Sequence, residues 1–345
     1  MGKQYGTSTK STLANGPYRL SGWSGTQDRH WTYQKNPTYF KASRVKVNNV
    51  DLKVYANATA AATAYDQGKA DYAPLTPQQV PHYTGTKGFK TMATRTEAFV
   101  YFNTTTGSTT DLWLRKALAQ GFNKRLFTQS QLKNGAKPLN GIIPSGAIQT
   151  ATGEDYRTAS GQLLPYNLSK TQSAWTKAKK SLRVNHLTLT LTVSNDATQA
   201  MAARFLQSQW QHNLPGLTVR IRTLTLQKRL LAEANGKFEV VLGTWTPAIL
   251  DPLNLLMVYQ TGNARSNTGF SNAYYDRTVN AIPTAGLDLT KRTALIQQAE
   301  RFLLIKKVPA AAFYQDGMAY LQRSTVTHLP ILSSGIANYE YARMR

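Results

Sequence analysis

An α/β fold is predicted for the larger part of this 345-residue chain, and three observations carry the prediction. From His186 onward the segments LTLTLTV, LTVRIRTL and FEVVLGTW read as strands, while DATQAMAARFLQSQWQ and LQKRLLAEAN between them read as helices. The links are short, and strand, helix, strand, helix, strand is the order that parallel strands with right-handed crossovers require. A hydrophobic content of 41% is ample for a core, and the length suggests two domains or one large one.

The other elements follow in chain order. Residues 1–14 are polar and lack periodicity. Asn15-Gly16-Pro17 is turn chemistry before a short strand, Tyr18 to Trp23. In RVKVNNVDLKVYA, Val45 and Val47, then Val50, Leu52 and Val54 alternate, predicting two half-buried strands around an Asn-Asn turn. Asn57 can cap the helix ATAAATAYDQ and Gly68 can end it; KADYAP and EAFVYFNT resume as strands. The segment DLWLRKALAQGFNKRLF predicts one amphipathic helix, with Leu114, Leu118, Phe122 and Leu126 inward and Arg115, Lys116, Lys124 and Arg125 facing elsewhere. PYNLSKTQSAWTKAKKSL is a further helix with Asn167 as cap, and the helix after Asp196 places Met201, Phe205 and Trp210 inward. A Tyr- and Asn-rich loop, VYQTGNARSNTGFSNAYYD, then a helix, TKRTALIQQAERFLLIKK, and a strand, VPAAAFYQ, complete the pattern.

Lysine and arginine number 41 against 17 acidic residues, a formal charge of +24. Such a chain seeks anions, but the basic residues come in ones and twos, as on solvated helix faces, with no basic stripe or reading motif, which argues against nucleic acid. Cysteine is absent, excluding disulfides and thiolate chemistry. No run of about 18 apolar residues would span a membrane, and the first residues lack a signal-peptide core. Enzyme chemistry finds no constellation. The five histidines are not spaced as metal ligands. GTSTKST lacks the glycine and the preceding strand of a phosphate loop, and GNARSNTG lacks a dinucleotide context. The acidic residues are scattered apart from Glu154-Asp155, and no G-x-S-x-G occurs. No cofactor, metal or catalytic residue is expected.

Several segments together resemble one family, the extracytoplasmic solute-binding proteins of oligopeptide ABC transporters. NGPYRLSGWSG followed by WTYQKNPTYF is similar to the family's Gly-Pro-Tyr strand and Asn-Pro turn. VDLKVYANATAAATAYDQGKADYA is similar to its strand, Ala-rich helix and second strand. VYFNTTTGSTTDLWLRKALAQGFNKRLF resembles its Asn strand and Arg-Lys-Ala-Leu helix, GFSNAYYD its Tyr-Asp loop and VPAAAFYQ its closing strand. The resemblance implies a periplasmic-binding-protein-like type II fold, with one complete α/β lobe, residues 98–313, and part of a second, residues 1–97 and 314–345. It places hinge crossings near 99–103 and 309–314, with Tyr101, Asn103, Pro309 and Phe313 as hinge residues. It further implies that a signal peptide, an anchoring cysteine, the first strands of lobe one and an inserted subdomain precede residue 1 of this chain.

In the resemblance, Val241 to Thr246 is an edge strand whose backbone pairs with an extended peptide. Thr244, Trp245 and Thr246 then face the ligand, Trp245 reading either as a pocket wall or as a core tryptophan. Asp251 and Pro252 match the family's supporting turn. Three residues beyond the tryptophan the family commonly carries an aspartate for the ligand's α-amino group, and here that residue is Ala248. The implied partners are a peptide and the permease subunits of an ABC transporter, at the extracellular face of the membrane or in the cell wall, with anionic wall polymers as a further candidate. The alternatives are a basic surface adhesin and a fragment without independent transport function.

Overall fold

Turn chemistry cuts the first part of the chain into short pieces, and the computed structural model describes them within residues 2–249, 251–263, 267–286 and 288–345. Strands β1 (Tyr18–Ser21), β2 (His30–Lys35) and β3 (Asn49–Lys53) precede helix α1 (Ala58–Asp66), where the Asn57 side chain accepts from the Ala60 amide at 2.9 Å. Next come β4 (Tyr72–Leu75), the single turn α2 (Val80–Tyr83) and the long β5 (Phe89–Phe102). Helix α3 (Leu112–Gln120) is capped by Asp111; α4 (Lys124–Leu126) runs into a π-turn, and β6 (Lys137–Pro138), α5 (Tyr156–Ser160) and α6 (Leu168–Leu182) follow. The regular run is β7 (Leu187–Ser194), α7 (Ala197–Asn213), β8 (Leu217–Leu224), α8 (Leu226–Ala234) and β9 (Val240–Trp245). Helices α9 (Pro252–Met257), α10 (Ala273–Thr284) and α11 (Leu289–Arg301) lead to β10 (Ala310–Gln322), β11 (Val326–Thr327) and β12 (Arg343–Met344).

The chain divides into two compact units. Unit 1 holds Met1–Thr94, Lys133–Gly135 and Gly317–Arg345, and unit 2 holds Arg95–Leu132 and Ala136–Asp316. In unit 1, β1, β2 and β3 form an antiparallel sheet, and β4 pairs with the end of β10, Leu75 opposite Ala319. Its core is small: Ala62, Tyr65, Ala73, Leu75, Val80, Ala319 and Leu321. The Asn36 side chain of the Asn-Pro turn donates to the Gly16 carbonyl at 2.9 Å and so ties the turn to β1. In unit 2, β5 is antiparallel to β9, and β7 lies between β9 and β8, parallel to both. A single large core, with Trp210, Tyr156, Phe122, Phe127 and Phe313 among its bulkiest side chains, packs on this sheet.

Four expectations are corrected. Val45 and Val47 form no strand: Ala42–Arg44 is a 3-10 turn, and Val45 is buried while its carbonyl takes the Lys35 ammonium at 2.8 Å. The strand from Tyr18 stops at Ser21, and Trp23 instead bonds through its amide to the Thr9 hydroxyl at 3.0 Å. The long amphipathic helix breaks at Gly121, where a Cβ would lie 2.7 Å from the Ala117 carbonyl, and restarts under an Asn123 cap. The four-residue rhythm therefore loses phase, and Leu126 ends exposed. Arg115 and Lys124 do not face solvent but are buried, each satisfied by backbone carbonyls. In the following helices Trp210 is buried, with Met201 and Phe205 packed half-buried against the same core.

Candidate ligand-binding site

Strand β9 begins as a fully buried run, Val240, Val241 and Leu242, with sheet neighbours on both edges at Val240 and Val241. Pairing with β5 continues to Trp245, opposite Glu97, but pairing with β7 ends at Val241, opposite Thr192. From Leu242 to Trp245 one backbone edge of β9 is therefore unpaired by any strand among the described residues. This is where the strand order reverses, since α7 carries the chain from β7 to β8 on one side and α8 returns it to β9 on the other. Ligands bind at such switch points, outside the carboxyl ends of parallel strands.

A buried ion pair keeps the two strands apart. Arg229, on α8, donates from Nε to the Ser194 hydroxyl at the end of β7, at 2.8 Å, and from Nη1 to the Leu242 carbonyl of β9, at 3.4 Å. Its charge is met by Glu233 one helical turn on, whose carboxyl burial pushes up and Arg229 pulls down. Gly243 has no room for a side chain: a Cβ there would lie 2.8 Å from the Tyr101 ring and 3.2 Å from Arg229 Nη1. Behind the strand Tyr101 and Tyr259 are hydrogen-bonded to each other, and burial raises both phenols well out of the physiological range.

Side chains alternate along the open edge. Thr244 and Thr246 are exposed, and the Thr246 hydroxyl lies 2.7 Å from that of Thr96 on β5. Trp245, on the other face, is half-buried and packs on the core. Opposite it Glu97 is fully buried, with neither carboxyl oxygen hydrogen-bonded among the described residues. Burial, then the charge of Glu300, push the Glu97 carboxyl well above its ordinary range, and Arg157 offsets this in part. Arg157 itself is committed to Glu300, at 2.6 Å, which also accepts from the Ile142 amide at 2.6 Å and from the Tyr156 hydroxyl at 2.9 Å. The exposed Ala248 carries no charge, and its carbonyl accepts from Arg95 Nη1 at 2.9 Å. Asp251 accepts from the Leu253 amide at 2.8 Å and pairs with Arg292 at 2.9 Å, so Asp251 caps α9 and Pro252 opens it. Leu250, between them, and Ala264, Arg265 and Ser266 of the GNARSNTG loop lie outside the described residues.

The family model for bacterial extracellular solute-binding proteins, family 5 Middle, matches residues 1–267. The chain belongs to this family. Among family-5 relatives, it is similar to the dipeptide-binding protein of Lactococcus lactis subsp. cremoris, 30% identical over 92% of this chain and 64% of that protein. It is also similar to the dipeptide-binding protein DppE of Bacillus subtilis, 26% identical over 91% of this chain and 57% of that protein. The chain thus spans less than two thirds of either relative. The solved structure of Listeria monocytogenes OppA bound to peptide is similar with a TM-score of 0.78 and 28% identity, covering 99% of this chain and 67% of that one. The α/β fold of this family-5 chain is accordingly of the periplasmic-binding-protein-like type II class.

The residues expected at the edge, Thr244, Trp245, Thr246 and Ala248, stand together at the end of β9, with Asp251 and Pro252 just beyond. Tyr101, Asn103, Pro309 and Phe313 also fall in unit 2, and the Tyr101 ring lies against Gly243 of β9. The buried Asn103 side chain donates to the Gly236 and Phe238 carbonyls, both at 3.0 Å; the Pro309 carbonyl accepts from the Phe102 amide at 2.9 Å; and Phe313 is a core ring packed on Phe122 and Phe127. Sequence reasoning missed Arg95, Glu97, Arg229 and Glu233. One signal was available for the last two: α8 exposes Leu226, Leu230 and Leu231 while burying its Arg-x-x-x-Glu pair, so its polar residues, at helical spacing, face inward.

Proposed function

We propose that the chain binds an extended peptide along the open edge of β9 and serves as part of a solute-binding protein delivering it to the permease of an ABC transporter at the outer face of the cell. The observation that carries this reading is the run from Leu242 to Trp245, paired with β5 on one edge and with no strand on the other among the described residues, with Thr244 and Thr246 exposed beside it. An added strand obtains most of its affinity from main-chain hydrogen bonds, which every peptide sequence can supply. The L. lactis and B. subtilis relatives are dipeptide-binding proteins and L. monocytogenes OppA is bound to peptide, which supports the same class of ligand. The proposed lobes, residues 98–313 and the remainder, are supported by the two contact units, and binding without catalysis by the family's solute-binding character.

The test is calorimetric titration of the chain with tetra-alanine and with its singly N-methylated backbone analogues. Binding is expected, and at least one N-methyl group should weaken it by about 1–2 kcal/mol, the cost of a lost or unsatisfied hydrogen bond. Equal affinity for all analogues would exclude strand addition. The +24 charge supports anionic wall polymers as an additional partner; teichoic acid binding unchanged at high salt would refute that electrostatic account.

A further inference from the structure

At the end of the open edge a positive charge stands without a counter-ion among the described residues. Among the described residues Arg95 donates from Nη1 to the Ala248 carbonyl at 2.9 Å, its Nε is buried without an acceptor, and no ion pair includes it. Its acceptor is neutral, the Ala248 carbonyl, while the hydroxyls of Thr96 and Thr246 meet on the other face of the ladder. The carboxyl two residues on along β5, Glu97, shares the face of Arg95 by strand alternation, but it lies beside Trp245, is fully buried, and forms no ion pair with Arg95 among the described residues. Burial pushes that carboxyl well above its ordinary range, which disfavours its charged form.

We infer that Arg95 is a specificity-determining residue of this edge, taking a carboxylate of the bound peptide. The inference rests on the proposed peptide edge and names the chemistry of the ligand it accepts. A guanidinium presents a planar fork of donors that matches a carboxylate, and the bond to Ala248 holds that fork in place before any ligand arrives. An ammonium in the same position would meet a like charge. The carboxylate has two sources, the peptide's C-terminus or an Asp or Glu side chain, and both present the same two oxygens.

Three probes separate the sources on the 345-residue chain: tetra-alanine, its C-terminal amide, and Ala-Glu-Ala-Ala amide, each titrated calorimetrically. Tetra-alanine, the glutamyl amide or both should bind about tenfold or more tightly than the plain amide, and which of them does so identifies the source. In Arg95→Gln that ratio should collapse toward one, and Ala248→Asp, which supplies a counter-ion at an exposed position, should reduce it in the same direction. Lys237→Gln, an exposed charge change on the loop before β9, should keep the ratio. Wild-type binding of all three probes with equal affinity, or a ratio that survives in Arg95→Gln, overturns the assignment and leaves the peptide edge standing. Failure of every probe to bind overturns the peptide edge and the assignment together.

Discussion

Lys124 reaches from α4 into the core, where Nζ donates to the carbonyls of Leu139 at 3.1 Å and Leu164 at 2.7 Å. Burial disfavours the ammonium and lowers its pKa from 10.5 to about 7. Between those values the unfolded chain binds a proton that the folded chain has released, so this group makes stability rise with pH across that window. Urea unfolding at pH 7 and pH 9 should therefore show wild type gaining on the order of a few kcal/mol relative to Lys124→Met. An equal change in both proteins would refute the shifted lysine. Keeping below about pH 9 avoids the buried tyrosines, whose ionisation on unfolding acts in the opposite sense. Lysine beside arginine in a helical segment reads as solvated, and nothing in KRLF shows otherwise. The carbonyls that hold Lys124 come from residues up to forty positions away, and local pattern carries no trace of them.

The run from β7 to β9 was legible because each element has its own periodicity and short links leave few topologies. Asn57 and Asn167 were legible as helix starts because capping is local chemistry, a side-chain oxygen accepting an amide three residues on. The separation of β9 from β7 was not legible, since it depends on Arg229 and Glu233 of α8 pointing inward. Arg229→Ala leaves the buried Glu233 without its counter-ion, with the Asn267 side chain still bonded to it, and should cost about 3–5 kcal/mol in chemical denaturation. The double change Arg229→Met with Glu233→Leu should recover most of that loss, yet let β9 and β7 pair further. Amide exchange at Leu242 to Thr244 should then slow and peptide affinity fall; recovered stability with unchanged exchange would mean the ion pair is not the wedge.

The two units differ in what holds them. Unit 2 has a continuous core, whereas unit 1 relies on a few alanines and aliphatics, Tyr65 and short antiparallel pairs. Apolar burial is the dominant stabilising term and sub-global opening follows it. In hydrogen exchange read by mass spectrometry, peptides from β1 to β3 should exchange markedly faster than those from β7 and β9, and lose protection at lower denaturant. Uniform protection across both units would show one cooperative block. The bond from Arg95 to Ala248 bears on how such chains are compared. Position 248 contributes its main chain, so an exchange of one small neutral side chain for another there leaves the same carbonyl in place. The sign of the charge at this end of the edge is then inherited at residue 95, 153 positions upstream in the chain. Two relatives identical throughout the stretch from Val240 to Pro252 could still prefer ligands of opposite charge.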